Sequence, residues 1–444
     1  MDLRSAMLRT LAATVVVAGV FATVAVAQPV TPPAGGRGGR GPTVVSPEVM
    51  ADGRVVFRIA APKAEKVTLS ANDVTILFGG GGAGALAGST KVVAPLTPAP
   101  PAGWPDFKKN DAGIWEATVA NVPPGAYRYV FMVDGVRVLD PVNPHTAESR
   151  DNVWSLFTVS GSELMDTTDV PHGAVAEVFY YSEVLKTTRR MHIYTPAGYE
   201  AGTTKYPVFY LLHGSGDTDD AWTSVGRAGF ILDNLIATKK AKPMIVVMPA
   251  GHQPGNAGFG GPGAPGTAPQ TPTVNPFTNE FMTDMMPYVE KHYRTINDRQ
   301  HRAIAGLSMG DSQTLDIAFN HLDKFAEIGV FSSGASLGGG GRRGVAAPGA
   351  PGGQPATPPA AAQPARPDWE ATHLADLDNA SLKKGTKLLW LSTGVDDNLI
   401  TNTRSTVELL KKHGFEPVFK ESPGAHSWFN WRNYLTEFTP QLFQ

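Results

Sequence analysis

Gly306-Leu307-Ser308-Met309-Gly310 fits the pattern G-x-S-x-G, in which small flanking residues let a sharp turn lift a serine hydroxyl above the end of a strand. Such a serine attacks carbonyl carbon, so the chemistry in view is acyl transfer. Gly334-Ala335-Ser336-Leu337-Gly338 is a second match, and context has to separate the two. The turn needs a buried strand before it and a helix after it, because the free amides of the helix N-terminus face the reacting carbonyl. Arg302-Ala303-Ile304-Ala305 precedes Ser308, and Leu315, Ala318, Phe319 and Leu322 follow at helical spacing. Ser336 runs instead into Gly338-Gly339-Gly340-Gly341, which cannot propagate a helix. Ser308 is therefore the candidate nucleophile.

A serine hydroxyl needs a base to take its proton. Of eleven histidines, His426 stands in Gly424-Ala425-His426-Ser427-Trp428, read as a short loop after the last expected strand, where hydrolases of this chain order carry their base. The base in turn needs a carboxylate to fix its tautomer and stabilise the imidazolium. Leu388 to Leu391 reads as a strand, and the chain beyond it carries two adjacent acids, Asp396 and Asp397, of which only one can face the histidine. Charge developing on the carbonyl oxygen calls for two backbone amides. One is that of Met309; the other is expected from His213-Gly214-Ser215-Gly216, with Ser215 the donor and His213 structural.

These residues need a sheet to hold them. Strands are expected at Ala176 to Tyr180, Met191 to Tyr194, Val208 to Leu212, Met244 to Met248, Arg302 to Ala305, Ile328 to Phe331, Leu388 to Leu391 and Val418 to Lys420. Phe230 to Ala237, Glu280 to His292, Gln313 to Leu322 and Thr403 to His413 have helical periodicity. That alternation predicts an α/β fold, a mostly parallel sheet covered by helices, over 170–444. Before it, 45–161 carries short alternating strands parted by turn signals such as Asp52-Gly53 and Asp134-Gly135, the pattern of a small all-β sandwich. Gly/Pro/Ala tracts at 79–88, 254–272 and 338–367 read as surface loops.

Residues 28–44 are Pro, Gly and Arg in low-complexity order and read as a disordered linker. Ahead of them Arg4 and Arg9 precede the apolar run Leu11 to Val26 and Ala25-Val26-Ala27, the pattern of a signal peptide cleaved after residue 27. Export to the periplasm or the cell exterior is expected, with no stable membrane anchor afterwards. The absence of cysteine excludes thiol nucleophiles and thiolate metal sites. A formal net charge of -2 offers no footprint for nucleic acid. The expected chemistry requires no metal or organic cofactor; oligomeric state is left open.

With these residues placed, the chain resembles the esterase family that includes feruloyl esterases, carbohydrate esterases of family one, enterochelin-esterase-like proteins and, more distantly, mycolyltransferases. The likeness rests on Tyr206 to Gly214, Arg302 to Gly310, Gly394 to Ile400 and Gly424 to Trp428. It implies an α/β-hydrolase fold and a Ser308, His426, Asp397 triad, since the family pattern after the seventh strand resembles G-x-x-D-x-L and puts the acid on Asp397, with Asp396 the alternative. The preceding sandwich resembles the early-set immunoglobulin-like domain and the family 48 carbohydrate-binding modules, on Gly125 to Gly135 and Asp140-Pro141. Trp104, Trp115, Tyr127 and Trp154 are candidates for stacking on a sugar or for the core. Relatives usually carry glycine where this chain has Asp311; Asp311 and Trp428 are the candidate substrate-binding residues. The resemblance implies hydrolysis of feruloyl or acetyl esters on plant cell-wall polysaccharide. An acyltransferase, a siderophore-ester hydrolase and a non-catalytic glycan-binding protein are the alternatives.

Overall fold

Apolar runs that bury both faces build the central sheet. In the computed structural model, which describes residues 44–71, 73, 106–253, 275–335 and 368–444, eight strands lie in the order β10-β11-β13-β12-β14-β15-β16-β17. They are β10 (Ala174–Ser182), β11 (Thr187–Thr195), β12 (Val208–Leu212), β13 (Ile245–Pro249), β14 (Arg302–Leu307), β15 (Glu327–Phe331), β16 (Leu388–Gly394) and β17 (Val418–Ser422). β11 runs antiparallel to both of its neighbours, β10 and β13, and from β13 to β17 every pairing is parallel. Successive residues feed opposite faces: Val208, Tyr210 and Leu212 join one buried cluster, Phe209 and Leu211 the other. Each fully buried side chain of this size contributes about 1.5–3 kcal/mol.

The helices are α1 (Ala228–Ala237), α2 (Pro276–Glu280), α3 (Met286–His292), α4 (Met309–Asn320), α5 (Trp369–Leu377), α6 (Ala380–Lys384), α7 (Ile400–Lys412) and α8 (Trp428–Phe438). The single helix expected over Glu280 to His292 is interrupted by a π-helical turn, Phe281–Met285. Pro287, just inside α3, has no amide to donate, and the turn before it is widened. The segment after His426 is not an extended loop: Trp428 opens α8.

Ahead of this α/β unit two antiparallel sheets pack face to face. One has the order β1 (Glu48–Val49), β2 (Val55–Ala60), β5 (Ile114–Val119), β4 (Lys108–Lys109); the other β3 (Val67–Ser70), β6 (Gly125–Val133), β9 (Asn152–Val159), β8 (Thr146–Ser149), with β7 (Val136–Val138) on β6. Val55, Phe57, Trp115, Tyr127, Tyr129, Phe131 and Phe157 fill the space between. Trp115 and Tyr127 are thus core residues, and Trp154 is half-buried beneath the Arg137 guanidinium, 4.3 Å from its ring centroid. Trp104, Ser336, residues 1–43, and the tracts at 79–88, 254–272 and 338–367 lie outside the described residues. No described helix is long and apolar enough to cross a membrane.

Candidate active site

The serine stands on a strained turn. Ser308, between β14 and α4, has φ 54° and ψ -112°, a region that costs a non-glycine residue about 1–3 kcal/mol and persists only where the surroundings impose it. Its amide donates to Phe331 O at 3.0 Å, and its carbonyl accepts from Asp311 N at 3.2 Å. The flanking glycines are required by close approach. A Cβ on Gly306 would collide with the carbonyl of Gly310, and one on Gly310 would lie 2.6 Å from His213 O. The elbow is therefore pressed backbone to backbone against the end of β12.

His426 lies beyond β17. Its Nδ1 is 2.9 Å from Asp397 Oδ2 and its Nε2 is 2.9 Å from Ser308 Oγ. A carboxylate only accepts, so Nδ1 carries the proton, and bare Nε2 accepts from the serine hydroxyl. Asp397 is 2% exposed, and its other oxygen accepts from Leu399 N at 2.8 Å. The structure thus brings Ser308, His426 and Asp397 into one hydrogen-bonded series. Asp396 is exposed, and it serves through its backbone: its amide donates to Gly424 O at 3.0 Å, tying the acid loop to the histidine loop. A Cβ on Gly394 would strike that same carbonyl.

The residues expected to supply the oxyanion amides lie beside the serine in the chain and in space. Met309 is the first residue of α4, and a Cβ on Gly214, the neighbour of Ser215, would lie 3.4 Å from Ser308 Cβ. His213 fixes this loop from below. Its Nδ1–H donates to Gly214 O at 2.8 Å, and its Nε2 accepts from Gly251 N at 2.9 Å. Gln313 on α4 donates to Gly251 O at 2.9 Å. Burial pushes the His213 imidazole down to about 4, so it is a neutral strut at ordinary pH.

Two expected substrate contacts are corrected. Trp428 is 1% exposed, packed between Trp222 and Trp431, because α8 turns its first aromatic inward. Asp311 is fully buried beneath the elbow; burial drives its carboxyl well above the ordinary range despite hydrogen bonds from Ser333 and Ser312. Buried there, it offers no surface to a substrate. Sequence reasoning missed Trp431, whose ring stands perpendicular to His426 at 5.0 Å, and Trp222, which donates to Leu212 O at 3.1 Å. Trp428 and Trp431 are three apart, a helical spacing that pointed to a packed face. Among the described residues no group of three or more His, Asp or Glu is placed to hold a metal ion.

Residues 182–442, more than half of the chain, match the family described as "Putative esterase". The chain belongs to this esterase family. The chain is 26% identical over 412 residues to an endo-1,4-beta-xylanase/feruloyl esterase of Xylanibacter ruminicola, covering 90% of this chain and 46% of the relative. It is 25% identical over 281 residues to the endo-1,4-beta-xylanase Y of Acetivibrio thermocellus, covering 58% of this chain and 22% of the relative. The chain thus spans less than half the length of these curated relatives. Among solved structures, the enterobactin esterase of Shigella flexneri superposes with a TM-score of 0.53 at 15% identity, over 88% of this chain and 93% of that one. At that identity the likeness is one of fold: an α/β-hydrolase architecture, with the match reaching past the catalytic half into the antiparallel sheets.

Proposed function

We propose that the protein is an exported serine carboxylic-ester hydrolase acting on feruloyl or acetyl esters of plant cell-wall polysaccharide. The observation that carries this reading is the unbroken series Asp397, His426, Ser308 on a strained elbow, with bonds of 2.9 Å at both steps. Ser308 Oγ attacks the ester carbonyl as its proton passes to His426 Nε2. The amides of Met309 and Ser215 stabilise the oxyanion, and Asp397 the imidazolium. Collapse expels the alcohol with the proton from Nε2, leaving an acyl-serine. Water, deprotonated by the same nitrogen, then releases the acid. The Xylanibacter relative is named for two activities, of which feruloyl esterase supports the acyl group and endo-1,4-beta-xylanase the polysaccharide setting. Export rests on Arg4, Arg9, the run Leu11 to Val26 and Ala25-Val26-Ala27.

The test is hydrolysis of p-nitrophenyl acetate and methyl ferulate by the purified protein, beside Ser308→Ala and Ser336→Ala. Wild type and Ser336→Ala turn over at least one ester, and Ser308→Ala loses about 10,000-fold or more. Turnover surviving in Ser308→Ala, or a wild type inert towards both esters, rejects the reading.

A further inference from the structure

Directly after Ser215 the chain reads Gly216-Asp217-Thr218-Asp219-Asp220, three acids in five residues that a surface loop would leave in water. Here Asp217 and Asp219 are 5% and 3% exposed. Asp217 is paired from the antiparallel sheets and Asp219 from β11. Strand alternation on β6 sends Tyr127, Tyr129 and Phe131 into the sandwich core and Ala126, Arg128 and Val130 to the other face, where Ala126 and Val130 are also buried. From that face Arg128 Nη1 reaches Asp217 Oδ1 at 2.6 Å, while its Nε holds Asp73 at 3.2 Å.

Strand β8 and the turn after it add three further ties. Arg150 N donates to Gly216 O at 3.1 Å and Glu148 N to Asp220 Oδ2 at 2.9 Å. The Glu148 carboxylate pairs with Arg190 on β11 at 2.5 Å, and Arg190 in turn grips Asp219 at 2.8 Å, beside His192 at 2.9 Å. The two backbone bonds fall directly on residues 216–220, starting one residue beyond the proposed oxyanion donor, and the Glu148 carboxylate reaches Asp219 through Arg190. The loop's other anchors, His213 and the 3.1 Å bond from His252 Nε2 to Asp217 O, come from the catalytic half.

We propose that the amino-terminal sandwich is a clamp on the oxyanion loop, and that Arg128 is a positioning residue which holds the Ser215 amide in line with that of Met309 through Asp217. The inference rests on the reading of Ser308 as nucleophile and of Ser215 as donor. A clamp of this kind acts on the transition state. The amide meets a full charge only in the tetrahedral species, so a displaced loop lowers kcat and leaves KM almost unchanged. Misplacement of a catalytic group by about 1 Å costs on the order of 100-fold.

A readout independent of the natural ester is the second-order rate at which a fluorophosphonate labels Ser308. Serine Oγ attacks phosphorus, its proton goes to His426, fluoride leaves, and the phosphoryl oxygen occupies the oxyanion position. Arg128→Met is expected to slow labelling by about 10- to 100-fold, with kcat for methyl ferulate falling in parallel and KM within twofold. Asp217→Ala, which leaves Arg128 paired with Asp73, serves if Arg128→Met does not fold, and carries the same expectation. Ile59→Ala is the control. It thins the core of the sandwich from β2, in the sheet that does not carry Arg128, and it lowers Tm while labelling per folded molecule stays near wild type. A loss smaller than about fivefold in the folded Arg128 or Asp217 variant overturns the clamp, as does an equal loss in Ile59→Ala. A wild type that labels but hydrolyses neither ester refutes the substrate assignment alone. A wild type that does not label refutes the nucleophile, and the clamp with it.

Discussion

Replacing His213 by phenylalanine tests both the strut and its protonation state. In the folded chain Nε2 must stay bare to accept from Gly251, and protonation would set two donors against each other in a site closed to water. Burial accordingly lowers this group from 6.5 to about 4. The unfolded chain binds more protons than the native one between those values, so stability rises with pH across the window and is lost as pH falls through it. For these two pKa values the loss between pH 7 and pH 5 is about 2 kcal/mol, and about 3 kcal/mol in total by pH 4 and below. Phenylalanine does not titrate. At pH 7 the variant lacks both hydrogen bonds, leaving Gly251 N and Gly214 O unpaired at about 1–3 kcal/mol each, and is the less stable protein. At pH 5 the gap should have narrowed by about 2 kcal/mol, because only in wild type does the unfolded chain gain a proton that the folded chain does not take up. Urea denaturation of both proteins at pH 7, 6 and 5 measures it. His252, lowered to about 4 by burial and by His213, is present in both chains, as are Asp219 and Arg189, so their contributions largely cancel in the difference. A gap that stays constant from pH 7 to pH 5 refutes the assignment of His213 as a neutral acceptor.

Asp397→Asn should lower kcat by about 10,000-fold, since the amide reverses the imidazole tautomer, while Asp396→Asn stays within about twofold; steady-state kinetics on one ester decide between them. Asp311→Asn should gain on wild type as pH rises from 4. The carboxyl is held neutral well above its ordinary range, so the native chain keeps a proton that the unfolded chain loses, and melting temperatures at pH 4 and 8 read the sign. Trp428→Ala removes a fully buried indole and should cost about 3–5 kcal/mol of stability with KM nearly unchanged, against the expectation for a substrate contact. Gly394→Ala drives a methyl into Gly424 O, and should lower both stability, by about 1–3 kcal/mol, and activity.

The parts of the molecule that were readable from residues are those whose causes are local. Val208–Leu212 has the bounds expected of it, because an uninterrupted apolar run of strand length has few other readings. The elbow was legible because its strand, its glycines and its helix are contiguous. Trp428 was misjudged for the opposite reason: attention to the histidine motif cut the chain at a residue that begins a helix, and the inward-facing Trp428, Trp431 and Leu435 were not taken together. Asp311, expected to meet substrate, is covered by Ser333 and Gly334 of the loop after β15, more than twenty positions away. Asp217, Asp219 and Asp220 are indistinguishable in sequence from a solvated acidic loop, since the groups that bury them, Arg128, Glu148 and Arg190, are up to 89 positions away. Charge pairing over such separations leaves no periodicity to read.

The placement of the acid and base has a bearing on how the protein fails. Asp397 and His426 hang from β16 and β17, and β17 is the border of the sheet, without one fully buried residue, whereas Ser308 is carried by β14, buried at all six positions. Local opening therefore begins where two of the three catalytic side chains are attached, and Gly394 against Gly424 makes the two loops leave together. On gentle heating, turnover should vanish while the central strands still protect their amides from exchange, and it should return on cooling. The serine end of the machinery would stay assembled throughout, waiting for the border to close.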